Sequence, residues 1–185
     1  MKFLNILIII FISLTSSIKA DFNENFKNNN KENGKLILIR HAYAPGNGDP
    51  ENFKINDCTS QRNLNQSGRE QAKKIGITLK KLKINLNNIY SSEWCRCQDT
   101  AKIAFNKYEN LNYLNSFYSS KYSKNKKKQI IELKNFIKNW DQNKDLVLIT
   151  HYVVILELLG LATNSGDIVF FDKDFNVLNL INTLS

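Results

Sequence analysis

Apolar residues along the chain fall into short blocks, and the spacing within each block predicts its secondary structure. Leu36, Ile37, Leu38 and Ile39 run without a polar break, as do Leu146, Val147, Leu148 and Ile149. An unbroken run of this length is expected for a strand buried on both faces of a sheet. Elsewhere the period changes: Ala72, Ile75, Leu79 and Leu82 recur at helical spacing behind Ser67, a candidate cap, and Ile130, Leu133, Ile137 and Trp140 do the same further on. Residues 89–91 read as a strand, 98–105 as a short helix, 111–117 as an edge strand and 153–159 as a helix closed by Gly160. Two final strands are predicted over 168–171 and 177–181. Strands alternating with helices predict a three-layer α/β/α sandwich with a largely parallel central sheet, in one domain over residues 35–185.

Two segments fall outside this pattern. Residues 1–20 begin with Lys2, continue through a nearly unbroken apolar run and end in small polar residues at Ala20, the layout of a cleavable signal peptide. The run is shorter than the ~20 residues that span a bilayer, so no stable membrane anchor is expected after cleavage. Residues 21–34 are rich in Asn, Lys and Glu and read as a disordered leader. The expectation is an exported protein, periplasmic or secreted.

Composition narrows the picture further. With 42% hydrophobic and 23% charged residues the chain packs a core. The net charge of +9 comes largely from scattered lysines, and the run Lys124, Lys126, Lys127 and Lys128 lacks the aromatic interleaving of a nucleic-acid surface. It reads as a solvated face, and no nucleic-acid partner is expected. The three cysteines, Cys58, Cys95 and Cys97, leave at least one thiol unpaired. A bridge from Cys58 to Cys95 or Cys97 and a set of three small buried side chains are both open readings.

The chain has two histidines, and each directly follows one of the buried-type strands, in LILIRH and LVLITH. Ligands of open α/β sheets sit beyond the carboxyl ends of the strands, so His41 and His151 are both delivered to that face. Arg40 stands beside His41, and Arg96 follows the 89–91 strand. Guanidinium groups next to imidazoles point to an anionic ligand such as phosphate. They also disfavour a metal, because zinc takes three or four ligands and an arginine repels the ion.

These residues resemble the signatures of the histidine phosphatases, the phosphoglycerate mutase-like superfamily. Arg40-His41-Ala42 is similar to its Arg-His-Gly motif, with Ala in place of Gly. SSEWCRCQDTA over 91–101 resembles its second block, and LVLITH resembles the third. A small exported bacterial subgroup offers a closer likeness through Ala44-Pro45-Gly46, Gly48-Asp49-Pro50, Asp57-Cys58, Gln61-Arg62-Asn63-Leu64 and Gly68-Arg69-Glu70-Gln71-Ala72.

The resemblance implies a phosphatase that hydrolyses phosphate monoesters through a phosphohistidine on His41. Arg40, Arg96 and His151 would surround the phosphoryl oxygens, and Asn47 would contact them from the loop. No metal or other cofactor is implied. Asp49 and Glu93 are candidate proton donors, and the substrate would be a phosphorylated small molecule or a phosphoprotein. The alternative is a non-catalytic anion-binding module of the same fold. Tyr152 and Val154 stand where the subgroup tends to carry Gln and Asn, a departure expected to bear on the pocket.

Overall fold

A computed structural model describes residues 34–183. The expected signal peptide, and the expected leader apart from its last residue, lie outside the described residues. The two unbroken apolar runs become β1 (Leu36–Arg40) and β4 (Leu146–Thr150), central strands of a six-stranded sheet. The others are β2 (Ile89–Ser91), β3 (Glu109–Asn110), β5 (Ile168–Phe171) and β6 (Val177–Ile181), in the order β3-β2-β4-β1-β5-β6. Pairing is parallel from β3 through β1; β5 then runs against β1 and β6 against β5. The expected α/β fold with a mostly parallel sheet is observed.

Among the described residues, five helices accompany the sheet: α1 (Gln66–Lys81), α2 (Cys95–Phe105), the single turn α3 (Ser120–Ser123), α4 (Lys126–Lys138) and α5 (Tyr152–Leu159). Side chains alternate across a strand, so β1 and β4 each supply both sheet faces. Leu36, Leu38, Leu146 and Leu148 join one core with Ile130, Leu133 and Ile137 of α4 and Val154, Ile155 and Leu158 of α5. Ile37, Ile39, Val147 and Ile149 are fully buried on the opposite face, where α2 lies along β2 and β4 and α1 packs on α2. Each fully buried Leu or Ile contributes about 1.5–3 kcal/mol relative to exposure. Among the described residues, no helix is long and apolar enough to cross a membrane.

Three local expectations are corrected. The strand expected over 111–117 is instead the two-residue β3, followed by a 3-10 turn at Asn112–Leu114. Leu114 is fully buried and its carbonyl accepts a hydrogen bond from Thr150 Oγ1, so the chain must turn inward there rather than extend along the edge. Asn65, not Ser67, caps α1 by accepting from the Gly68 amide. Helix α2 starts at Cys95, three residues earlier than its apolar spacing implied, because the Gln61 side chain accepts from the Cys95 amide and satisfies its first turn.

The contact between α1 and α2 depends on Gly76, where an added Cβ would run into the Ala104 carbonyl. Gly76→Ala is therefore expected to destabilise the fold by about 1–3 kcal/mol. Urea denaturation should show a lower midpoint with an unchanged slope; an unchanged midpoint would contradict this packing account.

Candidate active site

The register of β1 with β4 pairs Arg40 with Thr150, so the residues that follow, His41 and His151, emerge side by side. The His41 amide donates to the Thr150 carbonyl at 2.9 Å, and the two ring centroids lie 5.4 Å apart. Both rings are almost fully buried, at 2% and 3% exposure. His41 Nδ1 donates to its neighbour's carbonyl, Ala42 O, at 2.8 Å, which leaves Nε2 as the unprotonated nitrogen. That nitrogen receives the Arg96 Nε–H at 3.2 Å.

Arg96 is placed by the first turn of α2 and is the hub of the cluster. Its Nη1 donates to Asp49 Oδ1 at 2.7 Å, and its Nη2 reaches Asp49 Oδ2 at 3.2 Å and His151 Nδ1 at 3.4 Å. Thr100 ties the same turn to the segment just after His41 by donating to the Arg96 carbonyl and accepting from the Ala42 amide. Arg40 donates to the Thr163 carbonyl and lies 5.3 Å over the Tyr152 ring. Arg62 donates through Nε to the Gly48 carbonyl at 2.8 Å and through Nη1 to the Ala44 carbonyl, while its amide donates to Asp49 Oδ1. Gly48 needs its glycine there, because its φ of 66° favours a residue without a Cβ.

Burial and then the Arg96 charge hold both imidazoles well below their ordinary pKa, so the folded protein keeps them neutral. Arg40 also lowers both, whereas the Ala42 carbonyl works in the opposite direction at His41. At Asp49, burial pushes the carboxyl up, but the Arg96 hydrogen bonds and charge, with Trp94 Nε1 and the Arg62 amide, outweigh it and hold the group below the usual carboxylate range. Burial pushes the Cys97 thiol up to about 12, so it stays protonated and is no nucleophile.

A cleft of about 550 Å³ opens over the two rings, lined by Arg40, His41, Asn47, Asp49, Arg62, Arg96 and His151. Phe53, Trp94, Tyr118, Tyr122 and Tyr152 line its outer walls; Phe53 stacks on Trp94 at 5.0 Å and Tyr122 meets Trp94 edge to face at 5.5 Å. Two neutral imidazoles, three guanidinium groups and the Lys121 ammonium outnumber the Asp49 and Glu51 carboxylates around this cleft, which suits a small tetrahedral anion. Among the described residues, His, Cys, Asp and Glu nowhere gather in groups of three that could hold a metal ion.

The structure brings together His41, His151, Arg40, Arg96, Asp49 and Asn47. Glu93 stands apart: it does not line this cleft, its carboxylate accepts from Asn115 Nδ2 at 2.6 Å, and it borders a second cleft of about 380 Å³. Of the open cysteine readings, a disulfide joins Cys58 to Cys95, and Cys97 is a buried free thiol. Closing this loop stabilises the fold by about 3–4 kcal/mol in the chain-entropy picture. Tyr152 borders the cleft as expected, but Val154 is buried in the core and it is Val153 that reaches the cleft. Sequence reasoning missed Arg62 and Gln61, whose signal was present in the Gln61-Arg62-Asn63-Leu64 likeness.

Residues 36–145 match the family model described as Histidine phosphatase superfamily (branch 1). The chain belongs to this superfamily. Over 86 residues it is 33% identical to the mitochondrial serine/threonine-protein phosphatase Pgam5 of Drosophila willistoni, a stretch covering 46% of this chain and 27% of that protein. The chain thus spans about a quarter of the length of this curated relative. Among solved structures, the protein histidine phosphatase SixA complexed with tungstate superposes with a TM-score of 0.56 at 14% identity, covering 80% of this chain and 97% of that one. A phosphoserine phosphatase mutant of Entamoeba histolytica in complex with phosphoserine gives 0.55 at 20%, with 82% and 98% covered. These likenesses establish the phosphoglycerate mutase-like fold.

In this member of the superfamily the buried imidazoles set the direction of acid sensitivity. Above about pH 6.5 folded and unfolded chains are both neutral at these rings; below it the unfolded chain takes up protons that the folded site refuses. Stability is therefore expected to fall as pH drops from about 6.5, and Asp49, whose pKa is depressed, adds a further loss below about pH 4. Urea midpoints measured from pH 8 to pH 5 should decline through this window, and less steeply in His41→Asn. A flat or rising profile would contradict the neutral, buried rings.

Proposed function

We propose that this chain is a phosphatase that hydrolyses phosphate monoesters through a phosphohistidine on His41. The single observation that carries the reading is the state of His41 Nε2: unprotonated, locked in orientation by the Nδ1–H to Ala42 carbonyl bond, and facing the Arg96 guanidinium inside the cleft. Its lone pair attacks phosphorus and the bond from phosphorus to the leaving oxygen breaks; water then attacks phosphorus, giving a proton to the carboxylate that served as donor in the first step, and the N–P bond breaks to release phosphate and restore the ring. Arg40, Arg96 and His151 surround the transferring phosphoryl oxygens, and Asn47 contacts them from the loop.

Asp49 is the proton donor in this reading, and substrate makes it one. The incoming phosphoryl group displaces its carboxylate from the Arg96 fork, removing the interactions that hold the carboxyl low, while burial and the phosphoryl charge both favour a proton there. Protonated Asp49 then gives its proton to the leaving oxygen. The cleft holds a small phosphate ester or a phosphorylated side chain, and the activity named for Pgam5 favours a phosphoprotein. The protein works outside the cytosol as a member of an exported subgroup; the Cys58–Cys95 disulfide, of a kind that the cytosol reduces, supports this.

In rapid-quench experiments with an aryl phosphate, acid-labile, base-stable phosphate is expected on His41, and His41→Ala should lose turnover by about 10³-fold or more. Label on His151, or a wild-type protein that binds phosphate without turnover, would overturn the reading. Asp49→Asn is expected to slow alkyl phosphates by about 10²–10⁴-fold and p-nitrophenyl phosphate far less, because only the poorer leaving group needs the proton. Equal loss on both substrates would remove Asp49 from the donor role.

A further inference from the structure

The side chains behind His151 form a chain of hydrogen bonds whose donors and acceptors can be assigned one by one. The Glu93 carboxylate can only accept, so Asn115 presents its amide nitrogen to it, at 2.6 Å. That leaves Asn115 Oδ1 as an acceptor, and it receives the Glu93 backbone N–H at 2.9 Å and the Ser92 hydroxyl at 3.1 Å. Ser92 has then spent its one proton. Its oxygen accepts from the Trp94 amide at 3.3 Å and faces His151 Nε2 at 2.9 Å, so that ring nitrogen must carry the hydrogen. The other side of the ring gives the same answer, since Arg96 Nη2 can only donate and it faces Nδ1 at 3.4 Å. Cys97 Sγ also faces His151 Nε2, at 3.5 Å; its S–H donates to the Thr150 carbonyl at 3.7 Å, so the sulfur is a second, weaker acceptor for the same Nε2–H. Ser92 is fully buried and His151 nearly so, which leaves little water to offer the ring a further partner.

We propose that Glu93, Asn115 and Ser92 are a positioning strut for His151, holding its proton on Nε2 and presenting Nδ1 to the phosphoryl site. The two histidines then carry opposite tautomers: His41 is protonated at Nδ1 and exposes Nε2 as the nucleophile, while His151 is protonated at Nε2 and exposes Nδ1. A bare Nδ1 repels a phosphoryl oxygen, so His151 engages the anion only after taking up a second proton, and Ser92 continues to accept the Nε2–H in both states. Anion binding is thereby coupled to the uptake of one proton at a nitrogen whose direction the strut sets. This explains why Glu93, beside Arg96 in sequence, is turned away from the cleft. The proposal rests on His151 as a phosphoryl ligand, but the tautomer is a property of the ligand-free protein.

The chain has two histidines, so two-bond ¹H–¹⁵N spectra of the full-length protein labelled at histidine hold two ring patterns, and His41→Ala identifies them. At pH 7.5 one Nδ1–H ring, His41, and one Nε2–H ring, His151, are expected. Asn115→Leu and Ser92→Ala should each move His151 toward a mixture of tautomers and lower kcat by about 10–100-fold, as is typical when a partner that orients a histidine is lost. Glu93→Gln, which keeps an acceptor for Asn115, should retain the tautomer that Glu93→Ala loosens. An Nδ1–H pattern for His151 in the wild-type protein overturns the proposal. So does an unchanged tautomer in both folded Asn115→Leu and Ser92→Ala. Because these spectra require no turnover, an inactive protein with the expected tautomers would refute the phosphatase reading and not the strut.

Discussion

The parallel pairing of β1 with β4 is the constraint on which the rest depends. Once Arg40 lies opposite Thr150, His41 and His151 have to leave the sheet together, within a ring-to-ring distance of 5.4 Å. A slip of one residue would turn one of the rings into the opposite face of the sheet. Such a slip is opposed by every buried side chain on the two strands, because both faces are packed and each strand residue has a fixed side. The energy that sets the geometry of the candidate site is therefore mostly hydrophobic and lies in residues of the core rather than of the cleft.

Burial serves the proposed chemistry as much as the fold. An imidazole in water spends part of its time protonated near neutral pH, and a protonated ring cannot attack phosphorus. Here desolvation and the Arg96 charge keep both rings neutral, while a cation remains close by to receive an anion. Such an arrangement needs compensation, since a buried guanidinium without a counter-charge is costly. Asp49 supplies it in the ligand-free protein, and a phosphoryl group would supply it on binding. In the proposed reaction, exchange of one anion for the other would link the filling of the cleft to the protonation of Asp49.

Much of the fold and the centre of the site were legible in the sequence. LILIRH and LVLITH carried both strand identity and the place of the histidines, because a doubly buried strand is written in consecutive apolar residues. What escaped is held by polar contacts across long sequence separations. Gln61 caps α2 from a loop, Arg62 braces the Ala44–Gly48 turn, and Asn115 reaches back to Ser92 and Glu93. No periodicity encodes such bonds. The same cause explains the misread 111–117 segment, whose Leu111, Tyr113 and Phe117 imitate a strand while Leu114 is drawn inward by burial and by Thr150. Glu93 looked as good a carboxylate as Asp49 because proximity to Arg96 in sequence says nothing about which way a side chain turns at a helix start.

The loop between His41 and α1 shows how a site can depend on residues remote from its chemistry. It carries Asp49 and Asn47, and it has few buried apolar anchors, with Phe53 the largest. Order comes instead from point attachments: the disulfide to the first residue of α2, the Gln61 contacts to Lys54, Ile55 and Cys95, and the Arg62 brace. All of these converge on the loop or on the turn that bears Arg96. A cross-link adjacent to Arg96 restricts the unfolded chain, and in the folded state it ties the carboxylate-bearing loop to the guanidinium-bearing helix. The loop thus gains a fixed position relative to the sheet without a core of its own, and in the proposed reaction that position would determine how far Asp49 withdraws when an anion takes its place.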